Sequence, residues 1–251
     1  MSHFWYLPLL FLTGLVAGFI DSVAGGGGLI TIPVLLGVGL PPQEALGTNK
    51  LQASFGSGSA MLHFRLAGTV RIREGIEGIV CTALGAALGA VVIQRIDPGF
   101  LRQVIPWLLV TIALYTLLTP RLGFEEHPPK MGKGLFYLIA GLTIGFYDGF
   151  FGPGTGSFWV LALMLCLGYS MTKATGYTKV MNFTSNIVAL TLFLAGGYVH
   201  FTEGIVMGVG QFAGARLGSR MVIARGARFI RPIFITVVLA ITARLLYQNY
   251  R

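Results

Sequence analysis

The 251-residue chain is 54% hydrophobic and 11% charged, with a mean hydropathy of +0.75, which is too apolar for a soluble surface and excludes a soluble enzyme, a nucleic-acid module and a peripheral anchor. At roughly 20 apolar residues per helical crossing, this length predicts an all-α polytopic membrane protein with about eight to ten membrane segments and no sizeable extramembrane domain. The formal charge of +9 then belongs to loops between crossings and not to a basic face for nucleic acid.

In chain order, residues 4–20 open an apolar stretch with no basic leader and no small-residue cleavage site, so the expectation is a first retained helix over 4–22. It ends in Asp21 and the glycines at 25–28. Four further apolar segments follow in the first half, at 29–40, 45–67, 74–93 and 100–118. The second of the five is about a dozen residues, roughly 18 Å as helix against a hydrocarbon core of about 30 Å, so it cannot cross alone. The 45–67 segment carries Lys50 in its first turns, among Thr48, Asn49, Gln52, Ser54, Ser57 and Ser59. Gly85 and Gly89, four apart, predict close helix packing. Pro128, Pro129 and mixed charges across 119–133 mark a linker. The second half repeats the plan at 134–150, 156–167, 174–197, 204–223 and 229–249. There Lys179, Asn182 and Asn186 share one helix face. Cys81 and Cys166 each lie inside an apolar run and read as small core residues.

The two halves are copies of one unit. Gly14-Leu-Val-Ala-Gly-Phe-Ile-Asp21 lies over Gly141-Leu-Thr-Ile-Gly-Phe-Tyr-Asp148 at an offset of 127, and Glu44-Ala-Leu-Gly-Thr-Asn-Lys50 over Lys173-Ala-Thr-Gly-Tyr-Thr-Lys179 at an offset of 129. Gly68, Glu74, Gly85 and Gly89 match Gly197, Glu203, Gly214 and Gly218 at the second offset. The repeats are assigned to 1–120 and 134–251. A short segment behind a glycine run, at matching places in two halves, points to discontinuous helices and a midplane site. An odd number of segments per half predicts inverted repeats, and the charges agree. With the N-terminus outside, the inside loops hold Arg65, Arg71, Arg73, Arg121, Lys130, Lys133, Lys173, Lys179, Arg216, Arg220, Arg225, Arg228 and Arg231. Lys50, Arg95, Arg102, Arg244 and Arg251 remain outside.

The glycines at 25–28 lack the Gly-Lys-Ser/Thr ending of a phosphate loop. Two readings stay open: glycines for close packing, or glycines that unwind the backbone so that N–H groups at a half-helix N-terminus, from Gly26, Gly27 and Gly154, face a bound anion. Asp21 and Asp148, directly before the two loops, are either caps on the glycine turns or proton carriers in a coupled cycle. Lys50 and Lys179 either line a polar cavity or reach to a headgroup. In the cavity reading they supply positive charge to a small anion, with hydrogen bonds from Asn49, Thr155, Thr178 and Asn182. His3, His63, His127 and His200 show no ligand spacing, so neither metal nor cofactor is expected. Nor does a nucleophile, base and orienter set appear, which argues against an enzyme. Alternating access by a secondary transporter is the leading reading. An anion channel or a membrane-embedded enzyme acting on a small anion is the alternative.

Ala17-Gly-Phe-Ile-Asp-Ser-Val-Ala-Gly-Gly-Gly-Gly-Leu-Ile-Thr-Ile-Pro33, Ala45-Leu-Gly-Thr-Asn-Lys50 and Gly145-Phe-Tyr-Asp-Gly-Phe-Phe-Gly-Pro-Gly-Thr-Gly-Ser157 resemble the duplicated signatures of the TauE/SafE permeases. The resemblance covers nearly the whole chain. It implies a multi-pass transporter of the bacterial inner membrane that moves sulfite, a sulfonate, sulfoacetate or a related small anion, coupled to a proton or sodium gradient. Where Thr48-Asn49 becomes Tyr177-Thr178 and a proline enters the glycine run, the half-sites are expected to be inequivalent.

Overall fold

The computed structural model describes residues 6–101, 103–105, 107, 108, 111 and 128–225, and among them every regular element is helical. In chain order these include α1 (Leu7–Ala24), α2 (Gly28–Gly37), α3 (Pro42–Leu66), a 3-10 turn (Ile72–Gly75), α4 (Ile76–Gln94), α5 (Lys133–Phe150), α6 (Thr155–Leu167), α7 (Met171–Ala195) and α8 (Phe201–Arg225). Most of the expected 100–118 segment and all of the 229–249 segment lie outside the described residues, as does 119–127 of the linker.

Local chemistry sets the ends of these helices. Pro8 sits in the first turn of α1, where a missing N–H has no partner to lose. The helix stops at Gly25, whose φ of 77° lies in the left-handed region that favours glycine. After the break α2 runs for only 10 residues, and in the second half α6 runs for 13. At 1.5 Å per residue these are about 15 and 20 Å long, short of the roughly 30 Å hydrocarbon layer.

Polarity is distributed the opposite way from a water-soluble protein. On α4 the exposed residues Ile76, Val80, Leu84, Leu88 and Val92 form an apolar ridge four residues apart, and Phe201, Ile205, Val209 and Phe212 form another on α8. Inside lie Thr48, Asn49, Lys50, Gln52, Lys179, Asn182, Ser185 and Gln211, all buried. Apolar residues outside and polar residues inside is the arrangement that a hydrocarbon solvent selects. Two segments, Ile72–Gln94 and Met171–Ala195, are long and apolar enough to qualify as spans by composition alone, with mean hydropathies of 2.1 and 1.2. The 25-residue helices α3 and α8 are long enough to cross, yet their buried polar residues dilute the signal.

Packing follows the internal repeat. α1 and α3 pack on α8 as α5 and α7 pack on α4, and α2 lies on α3 as α6 lies on α7. The α1–α8 and α4–α5 pairs approach so closely that a β-carbon at Gly14 or Gly214 would run into the carbonyl of Met207 or Leu15, and one at Gly89 or Gly149 into that of Phe146 or Ala86. Between the halves, Gly47 lies against Phe193, Gly58 against Phe183 and Gly176 against Phe64. The descending partner numbers mean that α3 and α7, equivalent helices of the two copies, run antiparallel.

Candidate functional site

The two helix breaks meet. A β-carbon on Gly25 would sit 2.6 Å from the Cα of Gly156, and one on Gly156 would sit 2.5 Å from the Cα of Gly25. Gly28 faces Pro153 in the same way. The first turns of α2 and α6 are thereby brought side by side, and each helix dipole adds positive potential there. Some of their N–H groups are already satisfied: Leu29 donates to the Gly26 carbonyl, Thr155 to that of Gly152 and Ser157 to that of Gly154. Gly28 and Gly156 stand in the first turns of α2 and α6, where an N–H has no acceptor within its own helix.

Two ion pairs cross between the copies at this point. Lys50 of α3 reaches Asp148 of α5 with Nζ to Oδ1 at 2.7 Å, and Lys179 of α7 reaches Asp21 of α1 with Nζ to Oδ2 at 2.9 Å. Each ammonium also donates to the backbone carbonyl of its aspartate. Both lysines are 1% exposed, so protein and not headgroup surrounds them. The aspartates are held differently. Asp21 accepts a backbone bond from the glycine turn, Gly27 N to Oδ1 at 3.3 Å. Asp148 instead accepts from the Ser185 hydroxyl of α7. Two ammonium groups and two carboxylates leave the centre formally neutral, which is the condition for burying four charges at tolerable cost.

A polar cavity of about 30 Å³ sits between the pairs, lined by Asp21, Gly25, Gly28, Asn49, Lys50, Asp148, Gly152, Gly154, Thr155, Gly156, Asn182, Asn186 and Gln211, among others. That volume admits about one or two waters. Asn49 spends its carbonyl on the Thr31 hydroxyl (2.6 Å) and the Gln52 amide (2.7 Å), which leaves its Nδ2 hydrogens for the cavity. Asn182 Oδ1 and Gln211 Oε1 are buried without a hydrogen-bond partner among the described residues. Two unpartnered amide oxygens beside four charges mark a place whose polar groups are arranged for something other than stability.

Of the residues singled out from the sequence, Asn49, Lys50, Thr155, Gly154, Asn182, Asp21 and Asp148 line the cavity. Lys179, Thr178, Gly26 and Gly27 are not on its wall. Thr178 is buried with its hydroxyl unpartnered among the described residues, and Lys179 is turned onto Asp21. The half-sites differ in contacts as well as in composition. Thr48 accepts the backbone N–H of His200 at 3.0 Å, whereas its counterpart Tyr177 donates to Glu74 at 3.0 Å. Sequence reasoning missed Gln211, although a lone amide in an otherwise apolar, glycine-rich stretch of α8 was a visible signal. It also missed that each lysine pairs with the aspartate of the other copy. Among the described residues no group of three or more His, Cys, Asp or Glu is placed to hold a metal ion.

The described residues form an all-helical fold with an apolar exterior, meeting helix breaks and a buried charged cavity, the arrangement expected of a membrane transporter. The family model for the sulfite exporter TauE/SafE matches residues 10–245, and the chain belongs to that family. It is 47% identical to the probable membrane transporter protein YfcA of Escherichia coli, over 97% of this chain and 91% of that protein. A probable membrane transporter protein of Haemophilus influenzae is 46% identical over 97% and 95% of the respective chains. YdhB of Bacillus subtilis, also named a probable membrane transporter protein, is 27% identical over 89% and 94%. No solved structure matches the chain. The family places the protein in the bacterial inner membrane, and the names of these relatives denote transport, not catalysis.

Proposed function

We propose that the protein is a secondary carrier that moves a small sulfur-containing anion, such as sulfite, a sulfonate or sulfoacetate, across the inner membrane by alternating access. The observation that carries this reading is the contact of Gly25 with Gly156 beside the buried lysine–aspartate pairs. It brings helix N-termini, amide donors and ammonium charge to one enclosed point, which suits an anion and not a cation. The carrier is built as inverted repeats, a reading supported by the antiparallel run of α3 and α7 and by the segregation of Lys and Arg in the loops. The cavity of about 30 Å³ is smaller than a sulfonate group with its substituent, so loading requires the contacts around it to give way. A carrier that opens to one side at a time does this as part of its cycle.

Solute counterflow in proteoliposomes tests the proposal. Vesicles loaded with unlabelled sulfite or sulfoacetate are expected to accumulate external labelled anion transiently. Simple equilibration without overshoot indicates a channel, and chemical alteration of the anion indicates an enzyme.

A further inference from the structure

The two lysine–aspartate pairs are related by the internal repeat, but they are not built alike. Lys50 forms part of the cavity wall together with Asn49, Asn186 and Gln211, and Lys179 does not. Asp21 is tied into the backbone of its glycine turn through Gly27, so moving its carboxylate means moving the loop. Asp148 is held by side chains, the Lys50 ammonium and the Ser185 hydroxyl. A hydroxyl can reverse its role from donor to acceptor without moving its oxygen. On these observations, and resting on the carrier reading above, we infer that Lys50 alone of the two lysines binds the transported anion. The anion binds by displacing the Asp148 carboxylate, which takes up one proton as it lets go.

Charge conservation supports the exchange. With both pairs intact the buried centre is neutral, and an anion entering alone would leave an uncompensated negative charge in a low-dielectric site, the costliest arrangement available. If the Asp148 carboxylate gains a proton from the aqueous side, it becomes a neutral acid whose O–H donates to Ser185 Oγ. The Lys50 ammonium keeps its charge and turns from Oδ1 to the anion. One proton and one anion enter together, no bond to the anion is made or broken, and the centre stays neutral. The side-chain amide nitrogens of Asn182 and Gln211, both residues of the cavity wall, and the N–H groups of Gly28 and Gly156 supply the remaining donors.

Among the described residues the one other carboxylate on the cavity wall is Asp21, and the neighbouring Tyr147 on α5 spends its hydroxyl on the Pro153 carbonyl. Lys50 comes from α3. On α7 the charged groups are Lys173, near the start of the helix over the Tyr169 ring, and Lys179, and on α1 the charged group is Asp21, joined to Lys179. On α6 the one titratable side chain is Cys166, near the far end. On α4 it is Glu77, apart from Cys81, and Glu77 lies level with Gly134 of α5, about 21 Å along the helix from Asp148 at 1.5 Å per residue.

The test uses the purified protein with methanesulfonate and ethanesulfonate as probes, because each carries a single sulfonate charge that stays ionised and any proton taken up belongs to the protein. In weakly buffered solution near neutral pH, binding is expected to raise the bulk pH by the equivalent of one proton per bound anion. Lys50→Ala is expected to weaken binding by about ten- to a hundredfold, the effect of losing a charged hydrogen bond. Lys179→Arg, which preserves the Asp21 pair, is expected to weaken it by less than about threefold, a change under roughly 0.7 kcal/mol. Asp148→Asn is expected to bind with no proton uptake and no dependence on pH, whereas Asp21→Asn still takes up the proton. Proton uptake that persists in Asp148→Asn, or that vanishes in Asp21→Asn alone, overturns the inference. So does binding to the native protein without proton uptake, which leaves the carrier reading standing. Failure of both anions to bind the native protein removes the sulfonate-carrier reading itself.

Discussion

Gly25 and Gly156 touch backbone to backbone, each filling the space where the other's β-carbon would stand. Gly25 also holds φ at 77°, where a side chain costs about 1–2 kcal/mol before any clash is counted. Gly25→Ala is therefore expected to lower the thermal midpoint and abolish transport, and Gly156→Ala to abolish transport by forcing the two breaks apart. Gly26 is the control, because its nearest neighbour would be Leu29 Cδ1 at an ordinary 3.6 Å. Gly26→Ala is expected to stay within about 0.5 kcal/mol of the native stability. Equal loss of transport in all three variants, measured by uptake into proteoliposomes, refutes a special role for the central contact.

The antiparallel α3 and α7 predict how the loops are exposed. Single cysteines at Thr69, after α3, and at Thr202, in the first turn of α8 beside the matching connection after α7, are expected to react with an impermeant maleimide from opposite sides of the membrane, Thr69 from the cytoplasm. Labelling of both from one side excludes inverted repeats, whatever the charge distribution suggests.

The Lys179–Asp21 pair is open to a double-mutant cycle. Asp21→Leu alone leaves a buried ammonium without its carboxylate, a loss of about 3–5 kcal/mol. Lys179→Met in the same chain removes the stranded charge and is expected to recover most of that loss, read as the thermal midpoint in detergent. If the double variant is no more stable than Asp21→Leu, the two side chains do not act as a pair.

Much of this arrangement was legible in the sequence because the repeat exposes it. Asp21 with Asp148, and Lys50 with Lys179, stand at matched positions, and the short segments behind the glycines emerged as α2 and α6. What the sequence could not supply is which copy each side chain serves. Asp21 is separated from Lys179 by 158 positions, and local spacing carries no information about a contact made by helices from different repeats. The glycine turn was the nearest acceptor-seeking group to each aspartate in the chain, so a cap was the natural local reading. It describes part of what Asp21 does and none of the side-chain bonds that Asp148 makes. Span counting by hydropathy was limited for the same reason: α3 and α8 turn polar residues toward their partners, so their composition alone understates how well they suit lipid.

Gln211 offers a test in which stability and binding are expected to move in opposite directions. Its side chain is 2% exposed and its Oε1 has no hydrogen-bond partner among the described residues, while its Cγ and amide fill the space left by Gly56 on α3. An unpaired buried amide oxygen typically costs about 1–3 kcal/mol. Gln211→Leu keeps most of the volume and removes the unpaired group, so the variant is expected to be as stable as the native protein or about 1 kcal/mol more so. The same substitution deletes a donor from the cavity wall and should weaken sulfoacetate binding by about five- to tenfold, the effect of one hydrogen bond. Thermal unfolding in detergent and the binding isotherm, taken on the same preparation, check both expectations. A variant that loses stability together with affinity shows that Gln211 serves packing between α3 and α8. One that gains stability and keeps full affinity shows that its amide does not face the anion.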